Sequence, residues 1–342
     1  MTSLERVLTT LSHREPDRVP LFLMLTMHGA KELGLTIREY FSKAEQVVEG
    51  QLRLRARYGH DCLCPFFYAA LEVEAWGGEV VFREDGPANS GEPLIKKPEQ
   101  ILELVPPGIG DAAGLGKVLR AIEMLKSRVG DEVPIIGVAI SPFSLPVMQM
   151  GFGPYLELMH ERPDLFERLM RVNEVFSANW ANAQLDAGAT AICYFDPVSS
   201  TTIIPRDRFL RTGFQVARRT LQRIHGPTAI HLASGRCVPI LEDLIELGPA
   251  VIGVGPLEDL GTVKAACRGR VAVLGNLNGV EMCGWSPQQA ETVVRETLAK
   301  AASGGGFILS DGHGEIPFQV TEDVLMAVAG AARRWGTYPR EP

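Results

Sequence analysis

The chain has 342 residues, of which 46% are apolar and 22% charged, and its formal net charge is −7. This is the composition of a globular chain long enough for a large core. The acidic balance, with no Lys/Arg-rich run, excludes a general nucleic-acid binder.

No apolar stretch approaches the ~18 uncharged residues of a membrane span, and the N-terminus lacks the apolar centre of a secretory leader. The six cysteines (Cys62, Cys64, Cys193, Cys237, Cys267 and Cys283) are scattered. They read as reduced thiols of a cytoplasmic protein rather than as a disulfide framework.

Along the chain, short apolar runs alternate with amphipathic segments. Eight runs are predicted strands: residues 19–24, 61–66, 134–140, 190–195, 228–232, 250–254, 271–275 and 307–310. They are continuously apolar, as strands covered on both faces are. After the second run, residues 73–93 are too rich in turn residues for a helix, and a β-hairpin insertion is expected there.

The helices are predicted in chain order as follows. Residues 163–185 carry Leu165, Phe166, Leu169, Met170, Val172, Val175 and Phe176 at nearly a 3.6-residue period. Residues 205–224 open with proline, and residues 239–247 carry Ile240, Leu241, Leu244 and Ile245. Residues 286–302 begin with Ser286 as N-cap and Pro287 in the first turn. Residues 321–335 begin with a capping threonine and acidic residues and end in arginines, which suits the helix dipole. Eight strands alternating with helices predict an α/β chain folded as a (β/α)8 TIM barrel, a single domain over residues 1–342, with the hairpin after the second strand. A doubly wound sheet is the alternative.

Active sites of such barrels form at the carboxyl ends of the strands. His28 follows the first run, Asp196 the fourth, and His231 ends the fifth. Asn276 and Asn278 follow the seventh, and Asp311, His313 and Glu315 the eighth. Each has a structural alternative: a core histidine for His231, a turn or N-cap for Asp196, turn chemistry for Asn276, a solvated loop for Glu315. Cys62 and Cys64 form a C-x-C pair and read as structural, whereas the region around Met148 suits an apolar ligand face. A zinc site would draw on His231 and His313, with Cys237, Glu315 or Asp196 as the third ligand.

The segments "HREPDRVP", "ALEVEAWGGEV", "SPFSL", "DAGATAICYFDPVSS", "IHLASG", "VLGNLNG" and "ILSDGHGEIPFQ", in this order, resemble the uroporphyrinogen decarboxylase superfamily over nearly the whole chain. The resemblance implies the same barrel and two possible activities, tetrapyrrole decarboxylation or methylcobamide-dependent methyl transfer. Where the decarboxylase has its arginine-rich R-Q-A-G-R-Y motif, this chain has "LFLMLTMHGA", which contains no arginine. Tyr68 stands at the place of the decarboxylase's pyrrole-binding aspartate, and Val147-Met148 near that of its active-site tyrosine. His313 matches a decarboxylase histidine. In the methyltransferase pattern His231 matches the zinc-binding histidine, Ala233 replaces one cysteine ligand, and His313 replaces the other.

The resemblance thus favours a corrinoid-dependent methyltransferase. It would move a methyl group between a small substrate or acceptor (a methoxy compound, methylamine, thiol or folate) and cobalamin carried by a corrinoid-binding partner protein. In that reading His231, His313 and Asp196 are catalytic. Asn276, Tyr68, His28 and Met148 contact substrate, and His231, His313, Glu315 and Cys237 are the candidate zinc ligands. The alternatives are a tetrapyrrole decarboxylase and a non-catalytic barrel that binds a small ligand or corrinoid. A homodimer is compatible with the sequence.

Overall fold

In the computed structural model, which describes residues 1–338, the expected hairpin is formed by β1 (Val80–Val81) and β2 (Asn89–Ser90), paired antiparallel. The last residues of the predicted domain, 339–342, lie outside the described residues. Six further strands form one parallel sheet in sequence order: β3 (Ile136–Ile140), β4 (Ala191–Phe195), β5 (Thr228–His231), β6 (Val251–Gly253), β7 (Ala272–Leu277) and β8 (Phe307–Asp311). Helices run back between most of them along the outside. The longest is Pro163–Asp186, within one residue of its predicted end.

The first two predicted strands are irregular. Leu21 makes a single parallel bridge to Leu309, and Leu63 one to Ile135. The N–H of Asp61 donates to the Leu21 carbonyl at 2.7 Å and so links the two segments. These bonds carry the sheet from β8 round to β3. Pro20 and Pro65 interrupt the two segments, and proline cannot donate to a ladder. The Leu21 N–H is diverted to a side chain, the Asp61 carboxylate, at 2.8 Å.

Asp61 is fully buried and is the centre of an ionic cluster. It accepts from Arg6 at 2.7 Å, from both terminal nitrogens of Arg18 at 2.7 and 2.9 Å, and from Ser3 Oγ at 3.0 Å. Arg6 and Ser3 lie on the N-terminal helix Ser3–Leu11, whose N-cap Thr2 and Glu5 form a capping box. The helix covers the strand-N-terminal end of the barrel.

Residues 205–224, predicted as one helix, are two, Arg206–Arg211 and Gly213–Leu221. The chain turns at Thr212, which has φ −124 and ψ −87, and Gly213 beyond it packs so closely on Ser199 that an added Cβ would lie 2.5 Å from its hydroxyl. Inside the barrel, Phe22, Met24, Cys62, Cys64, Val251, Ala272, Leu274 and Ile308 form a cluster of their own. The larger cores lie between sheet and helices.

Asp61→Ala leaves Arg6 and Arg18 without their shared counter-ion. A loss of about 3–5 kcal/mol in unfolding free energy is expected, read as a lower denaturant midpoint.

Candidate active site

At the carboxyl ends of the strands the barrel opens into a cavity of about 180 Å³. Its walls are Met24 and Thr26 from the first extended segment, Cys64 and Phe66 from the second, and Cys193 and Phe195 from β4. His313, Gly314 and Glu315 beyond β8 complete it, and the hairpin residues Pro87, Ala88 and Asn89 stand over it. Among the described residues no lysine or arginine lines this space.

The turn after β8 is built by Asp311. Its buried Oδ2 accepts the backbone N–H groups of His313 and Gly314, each at 2.8 Å. This side-chain-to-backbone bonding is why aspartate starts such turns. Gly314 has φ +89, and an added Cβ would lie 2.4 Å from the Phe195 ring, so glycine alone fits there.

The turn aims two side chains at the cavity. His313 is held on both nitrogens, by Ser234 Oγ at Nδ1 and by Asn278 Oδ1 at Nε2 (2.8 Å). Asn278 Oδ1 can only accept, so Nε2 carries the proton and Nδ1 accepts from the serine. Burial lowers the pKa of His313, which keeps it neutral. Glu315 is bonded to the Thr26 hydroxyl. Burial, with Asp311 adding to it, raises its pKa to about 8, so its carboxyl is protonated at neutral pH.

His231 lies one layer deeper, at the end of β5. Its ring stacks on Phe195 at 5.5 Å, and its Nδ1 accepts the Ala233 N–H at 3.0 Å. Ala233 itself has φ +51, which is uncommon for a residue with a side chain. Burial and the nearby His313 lower the pKa of His231 to about 4. It is therefore a neutral imidazole with its proton on Nε2, and Nε2 has no partner.

The other expected site residues stand elsewhere. Asp196 is buried and accepts from Ser141, Ser144 and Ser199 at 2.6, 2.7 and 2.6 Å. It ties the loops after β3 and β4 together and does not line the cavity. Asn276 Nδ2 donates to the carbonyls of Gly255 and Glu258. Tyr68 donates to Glu74 at 3.2 Å and packs edge-on against Phe41 and Phe82. His28 is buried against Phe318 with both ring nitrogens unpartnered, and burial pushes its pKa down to about 3. Met148 is half-buried and packs on the outer core.

Cys237 is buried in the outer core, where burial raises its thiol pKa, and its N–H donates to Glu258 at 2.6 Å. Among the described residues no group of three His, Cys, Asp or Glu side chains converges to hold a metal ion. A catalytic zinc takes three protein ligands. The donor set here does not supply them, because His313 is bonded at both nitrogens and position 233 is alanine.

Sequence reasoning did not single out Thr26 or Ser234. Thr26 has no sequence signal, since its role depends on Glu315, 289 residues away.

The mouth thus presents a buried acid, Glu315, beside a neutral histidine, His313, with His231 beneath them. The model of the family described as uroporphyrinogen decarboxylase (URO-D) matches residues 2–335, and the chain belongs to that family. A uroporphyrinogen decarboxylase of Magnetococcus marinus is 25% identical over an alignment of 362 positions that covers 98% of each chain. The Methylcobamide:CoM methyltransferase MtaA of Methanosarcina barkeri is 26% identical over 334 positions, covering 95% of this chain and 96% of the relative. Among solved structures, a methyltransferase from Methanosarcina mazei superposes with a TM-score of 0.88 at 20% identity, over 98% of this chain and 99% of that one. That likeness establishes the barrel fold. Among the described residues no helix is long and apolar enough to cross a membrane.

The raised acid has a consequence for stability. Glu315 titrates near 8 in the folded chain against an ordinary value of 4.5, so folding takes up a proton between those pH values. Stability falls as pH rises through that window. Glu72, buried and also raised to about 8, contributes in the same sense. Glu315→Gln is expected to flatten the pH dependence of the denaturation midpoint over this range, by up to about 1.4 kcal/mol per pH unit.

Proposed function

We propose that the chain is a methyltransferase of the corrinoid-dependent branch, acting on a small, uncharged methyl donor or acceptor in the barrel mouth. The observation that carries this reading is the cavity: about 180 Å³, walled by apolar side chains and thiols around Thr26, Asn89, His313 and Glu315, with no lysine or arginine among the described residues of its lining. A polycarboxylate tetrapyrrole needs more room and positive partners for its carboxylates.

The corrinoid, carried by a partner protein at the open mouth, supplies the centre that gives or takes the methyl group. Glu315 does the proton work. When a methyl group leaves an ether or amine, the bond from the methyl carbon to the heteroatom breaks and the heteroatom needs a proton. The protonated Glu315 carboxyl, fixed by Thr26, gives it and is re-protonated from solvent. In the opposite direction, with a thiol acceptor, the ionised minority form of Glu315 takes the proton released as the sulfur–methyl bond forms. His313, immobilised between Ser234 and Asn278, forms the neutral polar wall beside Glu315. His231 acts from beneath, holding Phe195 against the substrate. Asp196 and Asn276 position the loops that carry these groups. Tyr68, His28 and Met148 support the walls from behind. No step of this scheme is routed through a metal, since among the described residues no three donors converge.

The test is transfer of an isotope-labelled methyl group between a small donor and a corrinoid protein. Glu315→Gln is expected to lower the rate by about 10²–10⁴-fold, with substrate KM little changed. Retention of the full rate in that variant would remove Glu315 from the chemistry. Chelation is expected to leave the rate of the native protein unchanged. Loss on chelation, restored by zinc, would instead assign a metal to the mouth.

A further inference from the structure

The barrel has a second internal space at its other end. From the helix Ser3–Leu11 up the barrel interior to His231 and Gly253 at the ends of β5 and β6 runs a chamber of about 110 Å³, floored by Leu4, Val7 and Leu11. Barrel interiors of this fold are ordinarily filled by layers of bulky branched side chains. Here small residues, Ala191 and Ala229, face the axis on neighbouring strands and leave the layer open. Ala191, Cys193 and Ala229 retain exposure although they are inside the barrel. Leu8, at the helix edge of the chamber, is 51% exposed and marks where it meets solvent.

The walls are carbon apart from the thiols of Cys62 and Cys193, the Met24 thioether, two threonines at the strand starts, and His231. Of the threonines, Thr190 is already bonded to the Ile135 N–H at 3.1 Å. His231 is 2% exposed. The Cδ2–Nε2 edge of its ring lies over Gly253, another chamber residue, where an added Cβ would be 2.2 Å from Cδ2 and 2.9 Å from Nε2. A glycine there makes room for the ring. With Nδ1 occupied by the Ala233 N–H, Nε2 carries the proton and is a buried donor without an acceptor. Such a group costs free energy unless something in the space accepts from it.

We infer that this chamber is a second ligand site, which takes a small, uncharged oxygen compound such as a ketone or ether. Its hydrocarbon body fills the apolar space and its oxygen accepts from His231 Nε2. A comparable apolar cavity of about 150 Å³ in another protein holds benzene or xenon, so the size suits a ring of that order. A charged ligand is excluded, since no counter-charge lines the chamber. The site opens at the end of the barrel opposite the mouth and does not depend on the methyl-transfer reading.

The test is titration of the full chain, without corrinoid, with cyclopentanone, followed by NMR of the methyl groups of Ile136, Val251, Leu274 and Ile308. Saturable shifts of these methyls are expected, together with a shift of the His231 Nε2 proton. Methylcyclopentane, which lacks the acceptor, is expected to bind about three- to tenfold more weakly. Ala229→Leu fills the chamber and is expected to abolish the shifts. Xenon competing for the same methyls tests the space in the unaltered protein, whether or not that variant folds. Absence of saturable shifts in the native chain overturns the site, and so does cyclopentanone binding unaffected by xenon. Equal binding of ketone and hydrocarbon overturns the assignment of ligand class.

Discussion

Asp61 joins parts of the chain that regular strand pairing leaves apart. Its carboxylate accepts the Leu21 N–H of the first extended segment and the guanidinium groups of Arg6 and Arg18, while its own N–H donates back to Leu21. Without these bonds the two segments would meet the sheet only through single bridges at Leu21 and Leu63, and β3 and β8 would be nearly open edges. The mouth depends on the same constraint. Met24 and Thr26 continue from Leu21, Cys64 and Phe66 continue from Asp61, and together they form one side of the cavity. Thr26 in turn fixes Glu315. A charge cluster at one end of the barrel therefore sets the position of Glu315 at the other.

Glu315 and His313, which line the mouth, are uncharged at neutral pH. Two histidines have lowered pKa values, and an acid has a raised one, in each case chiefly because of burial. Such a site can hold a carboxylic acid as a donor at neutral pH. Asp311 makes this possible locally. Two backbone N–H bonds to its carboxylate fold the turn that presents His313 and Glu315.

Much of this architecture was legible in the sequence. Apolar runs on both-face-covered strands identify β3 to β8 because burial writes itself as continuous hydrophobicity. The same signal overstated residues 19–24 and 61–66, where Pro20 and Pro65 remove ladder donors. His231, His313 and Glu315 were legible as polar residues ending or following such runs, and the structure gathers them around Phe195 and Gly314. Asp196 follows the same rule, yet three serines from two loops surround it. Nothing in its local spacing foretells partners 52 and 55 residues away. Ser234 and Thr26 were invisible for the same reason: a hydroxyl acquires its role only from what the fold brings to it.

The central claim is that the mouth transfers methyl groups on small molecules and does not decarboxylate tetrapyrroles. It is tested most directly by giving the purified chain two substrates in parallel. One is a methylated corrinoid protein with a small thiol, followed by the change in corrinoid absorbance. The other is uroporphyrinogen, followed by release of carbon dioxide. The account predicts thiol-dependent loss of the methyl group from the corrinoid and no carbon dioxide. Carbon dioxide released at a catalytic rate, with the corrinoid left methylated, would contradict it.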